Sequence, residues 1–345
     1  MKCGIITYYW SKNIGALIQS VSLLSFLKNN FQNHSFSFEN YLPKELIERE
    51  NQNQTKTYNL IKWFKAKRKN TYLNDWKENI AKLPKPNVSF KEYDKNFYIY
   101  GSDEIWNYEN PFFKYDSFFF GKNNFFKKIA YAVSIGNLDF KENSLPEEII
   151  KNINSFDNIS VRDEKTFEFV KIITKKKPFI ACDPSLLITP ELISGDYSRK
   201  YNLFKDEKFI LVYGIYFSKN QIISIKKYAR SKKLKIFSVS YYNIWADKNL
   251  LSVNPNDFVY LLKNSEVIFT SMFHGIILSY KYNKNFWYTL DPYRQNKINF
   301  FLKKFNLEKR LIDFISNKEL NYNENKSKFD DWVKESQNEL LKNLN

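Results

Sequence analysis

Short apolar runs alternate with amphipathic stretches along most of this chain. The first apolar run extends from Lys2 to Thr7, and a polar loop follows it. From Ile14 to Leu27, apolar side chains then recur at every third or fourth position. A short apolar run is typical of a buried strand, and the longer spacing is typical of a helix that buries one face. The pattern predicts a βα unit, and its repetition predicts parallel sheets with crossover helices.

The alternation continues in two series along the chain. The first series predicts strands at Lys2–Thr7, Ser35–Glu39, Phe97–Tyr100, Lys128–Ser134, Ile159–Val161 and Pro178–Cys182. The second predicts strands at Phe209–Ile215, Leu234–Val239, Val267–Thr270 and Phe286–Tyr288. Helices are expected between the strands of each series. The architecture repeats but the sequence does not, which favours two α/β domains that face one another across a cleft.

The domain boundaries follow from the polar stretches between these series. We place the N-terminal domain at residues 1–188, with a charged, helical insertion at about 43–86. Residues 189–206 contain a proline, a glycine and several charges, which is typical of a linker. The C-terminal domain then covers 207–325. An amphipathic helix at 326–345 is expected to cross back to the first domain.

The charge of the chain bears on its partners. The 345 residues include 54 Lys and Arg against 37 Asp and Glu, which gives a formal charge of +17. Such an excess can bind phosphates, but these lysines are spread along a chain rich in Asn, Ile, Phe and Tyr, as AT-rich coding DNA also produces. We predict no nucleic-acid partner. A small anionic substrate, or peripheral contact of the run Lys62 to Lys69 with an anionic membrane, is the alternative.

The cysteines and histidines are too few for a typical metal site. Cys3 and Cys182 lie far apart in apolar runs, so both are predicted to be buried free thiols in a reducing cytoplasm. With 2 His, 2 Cys and no HExxH motif, no metal or cofactor is predicted. No apolar run approaches the roughly 20 residues that span a bilayer. We therefore expect a cytoplasmic protein, with attachment to the inner face of the membrane as the alternative.

Candidate functional residues follow the predicted strands, because ligands of parallel sheets bind at the carboxyl ends of the strands. After the first strand, Lys12, Asn13 and Gly15 open a helix. Backbone amides at a helix start can bind an anion. An ordinary asparagine cap with a small residue for close packing explains the same pattern.

Two further strand ends carry charged residues. Ser102, Asp103 and Glu104 follow the third strand, where paired carboxylates could act as acid and base or could complement a helix dipole. Arg162 follows the fifth strand. Its guanidinium could bind a carboxylate or a phosphate, or could pair with the two acids that come next in the sequence.

A histidine lies at the strand-to-helix turn of the second series. Ser271, His274 and Gly275 follow the strand predicted at Val267–Thr270. Histidine titrates near neutral pH and is the usual residue of proton transfer. A lone histidine is more often structural, but this position favours a functional role. His34, in a polar loop, is assigned none.

The sequence contains seven blocks that resemble, in the same order, those of the polysaccharide pyruvyl transferase family. They are KCGIITYYWSKNIGALIQS, YGSDEIWN, IAYAVSIG, SVRDEKT, DPSLLI, FTSMFHGIILS and YRQNKINFFLKKFNLEKR. The resemblance implies two Rossmann-like domains in the GT-B arrangement and a role in bacterial surface-polysaccharide assembly. It implies transfer of a pyruvyl group from phosphoenolpyruvate, as co-substrate, to a glycan or lipid-linked saccharide.

The resemblance also suggests roles for individual residues. Arg162 matches an arginine of the family and would bind an anionic group of the donor, as would Asn13 and Gly15 at the first helix start. His274 matches the histidine of an Arg-x-His triplet and would transfer a proton or contact phosphate. Met272 replaces the arginine of that triplet. Arg294 or Lys12 would then supply the missing positive charge.

Three functions remain open at this point. The first is pyruvyl transfer from phosphoenolpyruvate. The second is a glycosyltransferase or other glycan-modifying transferase of the same GT-B-like fold, with a nucleotide-activated donor. The third is a glycan-binding or scaffold protein without catalytic activity. The replacement at Met272 is what keeps the second alternative open, because methionine cannot bind an anion.

Overall fold

The computed structural model describes residues 1–52, 60–111, 114–141, 145–188, 204, 206–290, 295–316 and 319–344, with only the backbone for 49–52 and 60–66. The chain divides into two units. Unit 1 comprises Met1–Lys56, Ala81–Thr189 and Asp330–Asn345. Unit 2 comprises Thr57–Ile80 and Pro190–Phe329. Each unit is built on a parallel sheet of its own.

Unit 1 contains, within the described residues, a six-stranded sheet with parallel pairing throughout. Its strands are β1 (Lys2–Ile6), β2 (Ser35–Phe38), β3 (Phe97–Tyr100), β4 (Lys127–Val133), β5 (Asn158–Val161) and β6 (Phe179–Ile180). The spatial order is β2-β1-β3-β4-β5-β6. Every residue of β3 is buried, so both faces of the sheet are covered at this strand, as in doubly wound folds.

Unit 2 contains, within the part of the chain that is described, a five-stranded parallel sheet. Its strands are β7 (Phe209–Tyr213), β8 (Lys235–Val239), β9 (Lys248–Leu250), β10 (Val267–Thr270) and β11 (Phe286–Tyr288). The spatial order is β11-β10-β7-β8-β9. Ile210, Val212 and Phe269 belong to a buried apolar cluster on one face of this sheet, together with Ile225 and Ala229.

Helices connect the strands and cover the sheets. They are α1 (Ile14–Asn30), α2 (Lys44–Gln52), α3 (Leu60–Asp75), α4 (Glu147–Asn154), α5 (Glu164–Thr174), α6 (Lys219–Ser231), α7 (Pro255–Asn264), α8 (Phe273–Lys281), α9 (Gln295–Lys304) and α10 (Lys326–Leu344). Several begin at side-chain caps. Asp163 caps α5, while Ser218 and Asn254 form capping boxes at α6 and α7. Such caps satisfy amides that the first helical turn cannot pair internally.

The strands predicted in both series are present, with small differences at their ends. The strand β9 was not predicted, because it is three residues long, half-buried and polar at Asn249. It pairs with β8 at the edge of the sheet. Helix α8 begins at Phe273, so His274 and Gly275 belong to its first turn.

The segment 43–86, predicted as a helical insertion in the first domain, is divided between the two units. It contains α2, α3 and a π-helix at Trp76–Ile80. Residues 57–80 group with unit 2. The Tyr72 hydroxyl donates to Asp257 Oδ2 at 2.7 Å, and Lys69 Nζ donates to the Ser240 carbonyl at 2.8 Å. The linker predicted at 189–206 falls largely outside the described residues.

Helix α10 packs against unit 1, as predicted. The Trp332 indole donates to the Ile180 carbonyl at 2.9 Å, and Ser336 Oγ accepts from the Cys182 amide at 2.9 Å. Cys3 and Cys182 are both buried free thiols. Across the described ranges, none of the helices is both long enough and apolar enough to traverse a bilayer.

We expect Trp332→Ala to destabilise unit 1. The substitution empties a site that is 5% exposed and leaves the Ile180 carbonyl without its indole donor. The free energy of unfolding should fall by about 3–5 kcal/mol. Urea unfolding followed by circular dichroism measures this loss. Glu335→Ala, on the exposed face of α10, is the control, and equal stability of the two variants would contradict the prediction.

Candidate functional site

The loops after β1 and β3 are tied together at the carboxyl edge of the unit 1 sheet. Thr7 Oγ1 donates to the Ser102 carbonyl at 2.8 Å, and Ser102 Oγ donates to Gln19 Oε1 at 2.6 Å. Gln19 Nε2 in turn donates to Thr7 Oγ1 at 3.4 Å. Ser102 is fully buried. It therefore holds the two loops in position, since its carbonyl and its hydroxyl both make hydrogen bonds within the protein.

Arg162 is buried and paired with carboxylates at the same edge. Its side chain is 2% exposed, with Nη1 3.0 Å from Asp183 Oδ2 and Nη2 3.5 Å from Asp103 Oδ1. The sequence left open a pairing with the two acids that follow Arg162. Asp163 instead accepts from Thr166 and Ser134 and caps α5. The internal ion pair is thus present, with partners distant in sequence.

The nearby carboxylates stabilise the charged form of Arg162. Burial lowers the pKa of Arg162, but four nearby carboxylates, with Asp103 and Asp183 foremost, together outweigh burial, and the pKa lies above its usual value. An anionic donor at this position would compete with two carboxylates that already accept from the guanidinium. The geometry is that of a group that positions Asp103, whose side chain is 20% exposed at the edge.

Asp103 and Glu104 lie beside a tyrosine that the sequence did not single out. Burial raises the pKa of Tyr8, and the charges of Asp103, Glu104 and Asp116 raise it further. Gly136 packs against Glu104, because a Cβ there would lie 2.5 Å from Glu104 Oε2. The helix cap considered for Asp103 and Glu104 is absent from the described structure, since a turn follows them. Asp103 and Glu104 thus place two carboxylates near Tyr8.

The start of α1 is an ordinary asparagine cap. Asn13 Oδ1 accepts from the Gly15 amide at 3.0 Å, so this one amide of the helix start is satisfied within the protein. Lys12 is partly exposed in the loop before this cap. The capping alternative is therefore present, and donor binding by Asn13 and Gly15 stays a prediction.

The turn between β10 and α8 in unit 2 presents His274. Ser271 is fully buried, and its Oγ accepts from the Ile215 amide at 3.1 Å. A Cβ on Gly275 would lie 2.2 Å from Thr270 Oγ1, so glycine allows the helix to approach the strand. These residues build the turn. His274 is the second residue of α8 and is partly exposed, as a proton-transfer group must be.

The methionine in place of the family's arginine is buried beside a tyrosine. Met272 is 4% exposed, and its Sδ accepts from the Tyr241 hydroxyl at 3.9 Å. Lys69 Nζ lies 5.7 Å from the centre of the Tyr241 ring. Lys297 Nζ lies 5.7 Å from the centre of the Phe273 ring, next to His274 in sequence.

Neither lysine was predicted from the sequence to lie near this turn. Lys69 belongs to the insertion, and nothing in the local sequence associates that segment with unit 2. Lys297 lies in the same block as Arg294, so the block indicated the region but not the residue. Arg294 itself lies outside the described residues. The two lysines place positive charge near this turn, where Met272 supplies none.

Two parallel α/β units, with a histidine at the strand-to-helix turn of the second, define a protein of Rossmann-like α/β architecture. A family model described as polysaccharide pyruvyl transferase matches residues 13–289. The chain belongs to this family, and it is a transferase. A search of curated proteins finds no significant match.

Three solved structures of similar fold are named as UDP-N-acetylglucosamine 2-epimerases. The UDP-GlcNAc 2-epimerase of Neisseria meningitidis aligns with 100% of this chain and 99% of its own, at 11% identity and a TM-score of 0.51. A putative UDP-N-acetylglucosamine 2-epimerase of Listeria monocytogenes aligns with 89% of this chain and 87% of its own, at 10% identity and a TM-score of 0.50. The UDP-GlcNAc 2-epimerase of Methanocaldococcus jannaschii aligns with 97% of this chain and 92% of its own, at 10% identity and a TM-score of 0.50. The likeness confirms the predicted GT-B-like fold class.

We expect Arg162→Ala to impair folding as well as activity. Removal of the guanidinium leaves the buried Asp183 carboxylate without its partner, which costs about 3–5 kcal/mol of unfolding free energy. Urea unfolding of the variant measures this cost. Arg230→Ala, at an exposed position of α6, should unfold like the wild type. An Arg162→Ala protein of normal stability would show that the ion pair contributes little.

Proposed function

We propose that this transferase moves a pyruvyl group from phosphoenolpyruvate to two hydroxyls of one sugar in a bacterial surface polysaccharide or its lipid-linked precursor. The family membership and the position of His274 at the start of α8 support this proposal. The reaction proceeds in the cytoplasm and uses no cofactor.

The reaction needs an acid beside the methylene carbon of the donor. His274, when protonated, gives a proton to that carbon, and positive charge develops at C2. The first sugar hydroxyl attacks C2, forms a C–O bond and loses its proton. The second hydroxyl then displaces phosphate as the C2–O bond to phosphate breaks. One hydroxyl proton balances the proton that the methyl group gained, and the other leaves with phosphate.

The donor carries a phosphate and a carboxylate, so its site needs positive charge and amide donors. In the described structure, the Met272 side chain makes no cap hydrogen bond to the first turn of α8. Helix starts bind anions through their amides and their dipole. Lys297 adds a positive charge on the neighbouring helix α9. Arg162, by contrast, acts as a positioning residue for Asp103.

Met272 is also the observation that favours a second function, transfer from a nucleotide-activated donor. A buried methionine beside Tyr241 offers an apolar surface instead of the family's guanidinium. Thermal stabilisation by phosphoenolpyruvate, but not by a panel of nucleotide sugars, supports the first function. Stabilisation by a nucleotide sugar and not by phosphoenolpyruvate supports the second.

Peripheral contact with an anionic membrane remains part of the proposal, since a lipid-linked acceptor would be found there. The basic run from Lys62 to Lys69 was the expected surface. Lys69 donates to the Ser240 carbonyl within unit 2, and the side chains of 62–66 lie outside the described residues. Release from anionic vesicles by high salt would support an electrostatic contact.

His274→Gln should slow transfer strongly without changing the fold. Loss of the general acid should lower kcat by a factor of about 100 or more. Phosphate release from phosphoenolpyruvate in the presence of acceptor measures the rate. His34→Gln changes the other histidine of the chain and should retain full activity. A fully active His274→Gln enzyme would exclude this histidine as the acid.

Lys297→Met should weaken donor binding more than it slows turnover. Loss of the ammonium group should raise the KM for phosphoenolpyruvate about 10-fold, because charge-assisted contacts stabilise bound anions. Steady-state kinetics at saturating acceptor separates KM from kcat. Lys303→Met, exposed on the same helix, is the matched control. An unchanged KM would remove Lys297 from the donor site.

A further inference from the structure

Unit 1 carries a groove lined by aromatic side chains. The rings of Tyr41, Phe90, Tyr93, Phe118, Phe125 and Phe126 line a cavity of about 610 Å³, here called the aromatic groove. A second cavity of about 420 Å³ shares Phe90, Lys91 and Glu92 with it and extends it. Each volume is in the range of a small-ligand site.

Part of the aromatic groove is strongly exposed. Phe125 is 94% exposed, Val88 is 55% exposed and Phe126 is 43% exposed. Exposed apolar residues that cluster around a concave surface mark binding sites, because their exposure to water is unfavourable. Phe125 and Phe126 lie in the loop before β4, so a ligand could contact them without unfolding any element.

The floor of the aromatic groove is rigidly packed. The Phe118 ring lies 4.6 Å from the rings of both Tyr41 and Phe90, measured between centroids, and 6.1 Å from that of Tyr93. Phe118 also follows Asp116, whose Oδ1 accepts from its amide at 3.0 Å. The ring faces are therefore fixed before any ligand binds, which reduces the entropy lost on binding.

Polar groups stand among these rings. The Tyr41 hydroxyl donates to Asp116 Oδ2 at 2.8 Å, and Lys91, Glu92 and Lys122 line the same cavity. The charges are mixed in sign. A sugar ring matches this combination, because it offers an apolar face of C–H groups to an aromatic ring and a rim of hydroxyls to carboxylates and ammonium groups.

Ring contacts connect the packing of the aromatic groove to Tyr8. The Phe118 ring lies 5.5 Å from that of Phe119, and the Phe119 ring lies 5.0 Å from that of Tyr8. The Asp116 carboxylate contributes to the raised pKa of Tyr8, as Asp103 does. The buried Phe119 ring thus links the floor of the groove to the residue that lies beside Asp103 and Glu104.

We infer that the aromatic groove binds a saccharide of two or more sugar units, as a subsite for the acceptor glycan. The inference rests on the proposed function, which makes a glycan the acceptor. A membrane surface fits less well, because the cavity is concave and its two acids, Glu92 and Asp116, offset the positive charge of its two lysines.

The test measures saccharide binding by calorimetry, without any turnover. The probes are trisaccharides of glucose, galactose and their N-acetylamino derivatives, each beside its methyl monosaccharide. The double variant Phe125→Ala/Phe126→Ala should bind a trisaccharide about 10-fold more weakly than the wild type, since each ring contributes stacking. Phe314→Ala, a 66% exposed phenylalanine of unit 2, should bind it normally. The melting temperature of each variant verifies its folding.

Three results would overturn the inference. They are failure of every trisaccharide to bind the wild type, unchanged binding in the double variant, and loss of binding in Phe314→Ala as well. Cosedimentation with vesicles of phosphatidylglycerol and phosphatidylcholine provides the second arm. If the double variant loses vesicle binding but keeps trisaccharide binding, the aromatic residues contact a membrane and the inference is wrong.

The donor is tested separately. Thermal stabilisation by phosphoenolpyruvate should be the same in the wild type and in the double variant, because Phe125 and Phe126 lie in unit 1 and the proposed donor residues lie in unit 2. Trisaccharide binding that depends on the groove, without any response to phosphoenolpyruvate, would support the subsite and contradict the proposed donor.

Discussion

Parallel strand pairing is the constraint on which both units depend. Neighbouring parallel strands cannot be joined by a tight turn, so each connection crosses a face of the sheet, usually as a helix. The faces are thereby covered, and β3 and β7 are buried along their whole length. Polar side chains collect at the ends of strands. Arg162 and His274 consequently occupy comparable places, each at a strand-to-helix turn of its own unit.

Periodicity in the sequence was enough to locate most strands and helices, because burial of one or both faces leaves a direct apolar pattern. It failed for β9, a short edge strand with no such pattern. It also failed to show that α3 packs in unit 2. The hydrogen bond between Tyr72 and Asp257 joins two residues that are 185 positions apart in the sequence, and local composition does not identify so distant a partner.

At the candidate site, too, the sequence identified individual residues but not the residues that contact them. The sequence identified Arg162 as a cation at a strand end, but its partners, Asp183 and Asp103, lie 21 and 59 residues away. Met272 looked like a lost charge in the sequence. In the structure it is buried beside Tyr241, so the change of residue is matched by its surroundings. The partners of Arg162 and the surroundings of Met272 both depend on distances between elements. Blocks of sequence contain no such distances.

The placement of α10 has a consequence for the order of folding during synthesis. Unit 1 is assembled from three stretches of chain, and the third, Asp330–Asn345, leaves the ribosome after nearly all of unit 2. Until then the Cys182 amide and the Ile180 carbonyl lack their partners on Ser336 and Trp332. Domains usually fold as they emerge, N-terminal first. Synthesis of unit 1 begins first, but unit 1 can be completed only after the residues of unit 2 have been synthesised.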